Sequence, residues 1–158
     1  MKIDDDSVYV FRNFFTKQAC KKYSNTIKDI GFKEWPLPFE ERVQDITNDP
    51  VVQVVKDFLN QTLNINLKIT QAQTQNWHVN SYSELHVHDS QSRMQTKYNS
   101  LIYLNDDFEG GEFITEGGLK LKPEQGMLTF FNGQVVKHGT NKVFGKDRKT
   151  LIFWWKDV

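Results

Sequence analysis

The chain has 158 residues, with 20 basic and 20 acidic side chains and a formal charge of zero. That length suits one ordinary domain with a real core, and the balanced charge argues against a nucleic-acid or membrane-surface partner. Cys20 is the only cysteine, so an internal disulfide is excluded and a reducing compartment, the cytoplasm, is the expected location.

The start, MKIDDDSVYV, is acidic and lacks the basic-then-apolar pattern of a secretory leader. No apolar run approaches the roughly 18 residues of a membrane span. The first third reads helical. Thr16 is a candidate cap for a helix with apolar positions Ala19, Tyr23, Ile27 and Ile30 and a stop at Gly31. The stretch 33–41, with Pro36 and Pro38, reads as loop. Asp49 and Pro50 form an N-cap and first-turn pair before Val51, Val54, Val55, Phe58, Leu59 and Leu63, an apolar stripe at helical spacing. Plain core packing accounts for both stripes. From about Leu67 the period changes to two. The predicted strands are 67–73, 76–88, 100–105, 111–115, 119–122, 127–131, 134–138 and 149–155, separated by Gly-, Asn- and Pro-containing turns. Short, closely spaced strands after a helical segment predict a mainly β architecture, a jelly-roll or barrel with the helices outside.

His86, His88 and His138 fall in the strand region. In an extended strand His86 and His88 share one face. His-x-His alone is a weak signal and on a strand is more often a polar exposed face than a ligand pair. An iron site open to substrate usually takes two His and a carboxylate, and Asp89 is the nearest carboxylate, with Glu84 on the His86 face.

The stretches LHVHD (85–89), SLIYLNDDFEGGEF (100–113), LKPEQGMLTFFNG (121–133) and VKHGTNKVFGKDRKTLIFWW (136–155) carry an ordered set of features. There is a His near an Asp, a Tyr-Leu-Asn strand leading to Gly-Gly-Glu, a Pro-x-x-Gly turn, and a distal His followed ten positions later by Arg. From about Trp77 to Trp155 the chain resembles the prolyl 4-hydroxylase-like branch of the 2-oxoglutarate/Fe(II) oxygenases. The resemblance implies a double-stranded β-helix of the jelly-roll or cupin-like kind over 67–158, with residues 1–66 as helical support packed on one sheet, all in one domain. It implies Fe(II), 2-oxoglutarate as co-substrate, and O2. It further implies decarboxylation of the keto acid to succinate coupled to C–H hydroxylation, most simply of a prolyl or other side chain in a peptide. A free amino acid or small metabolite is the alternative substrate. A cupin-like three-His dioxygenase needing no keto acid is the rival enzyme, and a metal-free binding domain the rival non-enzyme.

The same resemblance gives His86 and His138 to the metal and Arg148 to the far carboxylate of 2-oxoglutarate, where a guanidinium offers a bidentate, charge-assisted pair. Without it Arg148 would read as an exposed cation at a strand start. Tyr103 stands where the family places a supporting hydroxyl, though a core aromatic fits as well. Trp154, with Thr150 and Ile152, shares the strand parity of Arg148 and reads as pocket wall or core. The pattern departs at the second ligand. The family's Asp lies two positions after the first His, where this chain has His88, with Asp89 one later. His88 could bind from a regular strand, or a bulge could turn Asp89 inward. If neither binds, the site is inactive or open to halide. The loop 90–99 reads as a substrate lid.

Overall fold

A computed structural model describes residues 4–88 and 95–158. Asp89 and residues 90–94 of the expected lid lie outside the described residues. Among the described residues twelve strands, β1 to β12, and two α-helices follow one another. Helix α1 (Lys17–Ser24) starts where the side chain of Thr16 accepts a hydrogen bond from the backbone N–H of Ala19 at 3.1 Å. It ends at Asn25, six residues before the expected stop. Gly31 has a different task. Its φ of +73°, unstrained only without a Cβ, lets the chain turn so that its N–H reaches Asp147.

Helix α2 (Val51–Leu63) begins as expected, with the Asp49 carboxylate accepting from the N–H of Val51 at 2.9 Å. The same carboxylate takes the Tyr23 hydroxyl at 2.8 Å and joins the two helices. Helix α2 buries Val51, Val52, Val55, Leu59 and Leu63 on one face.

A six-stranded antiparallel sheet lies under the helices. Its order is β1 (Val8–Phe11), β9 (Leu128–Asn132), β5 (Tyr98–Tyr103), β12 (Arg148–Asp157), β3 (Leu67–Trp77) and β2 (Val43–Asp45). The segment 1–66 therefore supplies both edge strands of this sheet as well as the helices. The expected strand 76–88 is two pieces. β3 ends at Trp77, the chain turns through Asn80 at φ +85°, and β4 (Ser83–His86) joins a second sheet. That sheet runs β4, β10 (His138–Thr140), β7 (Phe113–Thr115), β8 (Lys120–Leu121). A ribbon of β6 (Glu109–Gly110) and β11 (Val143–Phe144) closes one end.

Alternation divides the two faces of the large sheet. Leu151, Phe153 and Trp155 of β12, with Tyr98 and Ile102 of β5, pack under the helices. Leu101, Tyr103 and Ile152 turn the other way, toward Phe113 of the small sheet. This is the mainly β, two-sheet arrangement expected, with the helices on one sheet.

Asp147 locks the outer shell to the barrel. Its buried carboxylate accepts from Ile30 N at 2.6 Å, Gly31 N at 3.0 Å, Asn76 Nδ2 at 2.9 Å and Val79 N at 3.3 Å. Asp147→Ala strands these donors, so we expect it to destabilise the fold by about 3 kcal/mol. The check is the urea midpoint at unchanged m-value. A loss below 0.5 kcal/mol, the range of an ordinary surface substitution, would contradict the clamp.

Candidate active site

His86 and His138 face each other because β4 and β10 pair antiparallel with these two residues in register. Cross-strand partners on one face are the closest side chains a sheet can offer, and their ring centroids are 4.5 Å apart. His88 arrives differently. The ladder stops at His86 rather than running on regularly through residue 88 as expected. The N–H of His88 then donates to the Gly133 carbonyl at 2.8 Å. That anchor returns the ring to the site, 4.8 Å from His138 and 5.4 Å from His86. One ligand-capable nitrogen from each of the three histidines lies within 4.8 Å of the others. Glu84 is not part of this group; its backbone carbonyl takes the His86 Nδ1 hydrogen at 2.9 Å.

These backbone bonds fix tautomers. A carbonyl only accepts, so His86 Nδ1 and His138 Nδ1 (2.7 Å from the Val136 oxygen) carry the hydrogen. Each Nε2 is left with a free lone pair. Burial, with His88 and His86 nearby, pushes the pKa of His138 down to about 4, against the opposing Val136 bond. Burial and the neighbouring His86 also lower that of His88, with the adjacent Asn99 side chain opposing. Both shifts favour the neutral ring, the form a metal needs.

The histidines stand in a cavity of about 320 Å³ whose walls include Trp35, Trp77, Phe113, Phe131, Ile152 and Trp154. Arg148, opposite Trp77 across the β12–β3 ladder, lines it with only 1% of its surface exposed. Its guanidinium carbon lies 4.9 Å from the Tyr103 ring and 5.4 Å from the Trp77 ring. Burial lowers its pKa, partly offset by Tyr103. Among the described residues no carboxylate pairs with it, and its Nε and Nη1 and the Tyr103 hydroxyl are buried without partners. A buried guanidinium costs several kcal/mol unless paired. Its chemistry therefore fits a carboxylate ligand, and the neutral imidazole set beside it fits a divalent transition metal. Trp154 and Ile152 line the cavity as their parity with Arg148 indicated, and Tyr103 sits against the guanidinium.

Two residues passed unmarked in the sequence. Asn99 lines the cavity with both amide atoms buried and unpaired. Gly133 leaves room for it. A Cβ there would strike Asn99 Oδ1 and lie 2.6 Å from His88 Nδ1. The only hint in sequence was the Asn132-Gly133 turn. Gly133→Ala is expected to displace His88 and weaken Fe(II) binding roughly tenfold to a hundredfold, the scale of residues that orient a metal ligand. Metal titration beside far-UV circular dichroism separates this from misfolding, and unchanged affinity would refute the tight fit.

An alignment of 65 positions, covering 37% of the chain, is 42% identical to prolyl 3-hydroxylase 2 of Rattus norvegicus, of which it spans 9%. The viral collagen prolyl hydroxylase of Paramecium Bursaria Chlorella virus-1, solved with 2-oxoglutarate, superposes with a TM-score of 0.70 at 17% identity over 96% of both chains. A prolyl-4-hydroxylase of Pseudomonas putida gives 0.64 at 15% identity, over 96% of this chain and 92% of that one. These two likenesses are of fold. Residues 67–156 match the 2OG-Fe(II) oxygenase superfamily, and with more than half its length so matched the chain belongs to that family, whose metal is Fe(II) and whose co-substrates are 2-oxoglutarate and O2.

Proposed function

We propose that this oxygenase hydroxylates a C–H bond in a peptide, a prolyl or other side chain, with His86, His88 and His138 on the iron and Arg148 and Tyr103 on 2-oxoglutarate. The observation that carries the reading is Arg148, a fully buried cation with unpaired nitrogens in the cavity the three histidines line. The iron, when bound, would activate O2, and the keto acid would supply the two electrons that let one oxygen atom enter the C–H bond while the other leaves in succinate, with loss of CO2.

The protein's part is to hold and to exclude. The Val136 and Glu84 carbonyls keep His138 and His86 in the tautomer that offers Nε2. The Arg148 fork would fix the far carboxylate of the keto acid and its direction, with the Tyr103 hydroxyl as a second donor. Phe113, Phe131 and Trp154 keep bulk water from the walls. A peptide substrate is supported by the likeness to prolyl 3-hydroxylase 2 over 65 residues. Arg148 also separates this reading from a cupin-like dioxygenase without a keto acid, which has no use for a buried cation. No described helix is long and apolar enough to cross a membrane, and a single buried thiol, Cys20, is compatible with a reducing compartment such as the cytoplasm.

The test is decarboxylation of labelled 2-oxoglutarate by the purified protein with added Fe(II), alone and with proline-containing peptides. Turnover that needs both iron and the keto acid and rises with peptide is the expected result. Iron binding without any keto-acid turnover would refute the proposal.

A further inference from the structure

Arg42 is the second cation of the same cavity. It directly precedes β2, and its carbonyl accepts from Asn76 N at 2.8 Å, which fixes its backbone to β3. Its Nε donates to the Leu37 carbonyl at 3.1 Å. The guanidinium lies over Trp35, 4.8 Å from the ring centroid, with Phe39 at 5.8 Å. Trp35 in turn stacks on Trp77 at 6.0 Å and 25°, and Trp77 stands beside Arg148. A cation–aromatic stack thus runs from half-buried Arg42 at the rim to fully buried Arg148.

Nothing in this stack neutralises Arg42. It takes part in no ion pair among the described residues, although Glu40 and Glu41 precede it in sequence. The described cavity lining contains neither Asp nor Glu. Partial burial already lowers its pKa, so the charge is held at a desolvation cost. A guanidinium kept flat, aimed by a backbone carbonyl and left unpaired is preorganised for a carboxylate. On the reading above, 2-oxoglutarate spends one carboxylate on Arg148 and the other on the metal, so neither remains for Arg42.

We propose that Arg42, backed by Trp35 and Phe39, is the substrate-anchoring residue of this cavity and that the substrate bears a carboxylate near the C–H bond that reacts. The inference rests on the 2-oxoglutarate oxygenase reading. The carboxylate has three sources: an acidic side chain next to the target residue, a peptide C-terminus, or a free amino acid.

The experiment is a binding titration on protein loaded with Mn(II) and the unreactive keto-acid analogue N-oxalylglycine, read by tryptophan fluorescence, since Trp35 and Trp77 flank the site. The probes are N-acetylproline, its N-methylamide, N-acetyl-prolyl-glutamate α-amide, the corresponding glutamine peptide, and free L-proline. We expect at least one carboxylate probe to bind tenfold or more tighter than its neutral partner or, for free L-proline, than the N-methylamide. The tightest carboxylate names the source. Arg42→Gln removes that preference, and Arg42→Lys keeps part of it. Both variants should still bind N-oxalylglycine as the parent does, which shows that the fold and the Arg148 site persist. Equal binding of charged and neutral probes, absence of saturable binding by every carboxylate, or a preference that survives Arg42→Gln would each overturn the proposal. Iron-dependent 2-oxoglutarate turnover is measured in parallel. If it persists while the preference is absent, Arg42 is wrongly assigned and the oxygenase reading stands. If turnover itself is absent, it is that reading that fails.

Discussion

Replacing Arg148 with methionine should raise the 2-oxoglutarate concentration needed for half-maximal turnover by about 30-fold to several thousand-fold, while Fe(II) still binds. The range follows from the about 2–5 kcal/mol lost when one partner of a buried, hydrogen-bonded charge pair is removed, at 1.4 kcal/mol per tenfold. Methionine fills much of the volume and carries no charge, so the wall between Tyr103 and Trp77 persists. A second effect has the opposite sign. Without a ligand, the guanidinium is a desolvated cation with two unpaired nitrogens. Removing it is therefore expected to leave the ligand-free protein as stable as before, or more so. The thermal shift that 2-oxoglutarate gives the parent should vanish, because that shift measures binding to the native state alone. An unchanged requirement for 2-oxoglutarate would place its far carboxylate elsewhere.

Alanine at His138 or at His88 should remove Fe(II) binding and turnover together, whereas Asp89→Ala should cost turnover roughly tenfold to a hundredfold, as for an outer partner of a ligand. His138 is buried, its Nδ1 hydrogen is committed to Val136, and it is in register with His86. Its loss leaves His86 and His88 with no ring opposed to them. For His88 the argument is its anchoring. The bond from its N–H to Gly133 and the close walls of Asn99 and Gly133 hold a neutral ring against the other two. A side chain so confined beside two lone pairs is poorly explained as surface polarity. The measurement is Fe(II) affinity and 2-oxoglutarate decarboxylation in each single variant. Full metal binding and turnover in His88→Ala, with both lost in Asp89→Ala, would transfer the third position to Asp89.

Much of this was legible because the signals were local. Thr16 and Asp49 mark helix starts through bonds made within a few residues, and the sequence carries that chemistry. The parity of Arg148, Ile152 and Trp154 survived because period two holds along β12 through those positions; the register shift comes only after Trp154. The errors came where a distant partner decided. Nothing near Gly31 says that its N–H will meet Asp147, more than a hundred residues away, so a turn was mistaken for a helix stop. Edge strands β1 and β2 are 4 and 3 residues long, too short for a period to show, and exist because β9 and β3 offer them a ladder. The break after Trp77 was hidden because polar and apolar residues go on alternating through Asn80. His88 was placed on the correct side by strand parity, although the strand ends before it and the Gly133 carbonyl does the placing.

The position of β12 constrains how the molecule comes to exist. It is the last of the described strands, yet it lies in the middle of the large sheet, between β3 and β5. During synthesis those two strands emerge with no common partner, and the facing backbone edges of both wait for residues 148–157. Folding of the sheet is therefore a late, long-range event of the slow kind. A nascent chain stopped before residue 148 would carry two unpaired edges, on β3 and β5, prone to aggregate, rather than be a weakened enzyme. The ten residues that end this wait also bring Arg148, so the chain cannot complete its sheet without gaining its buried cation.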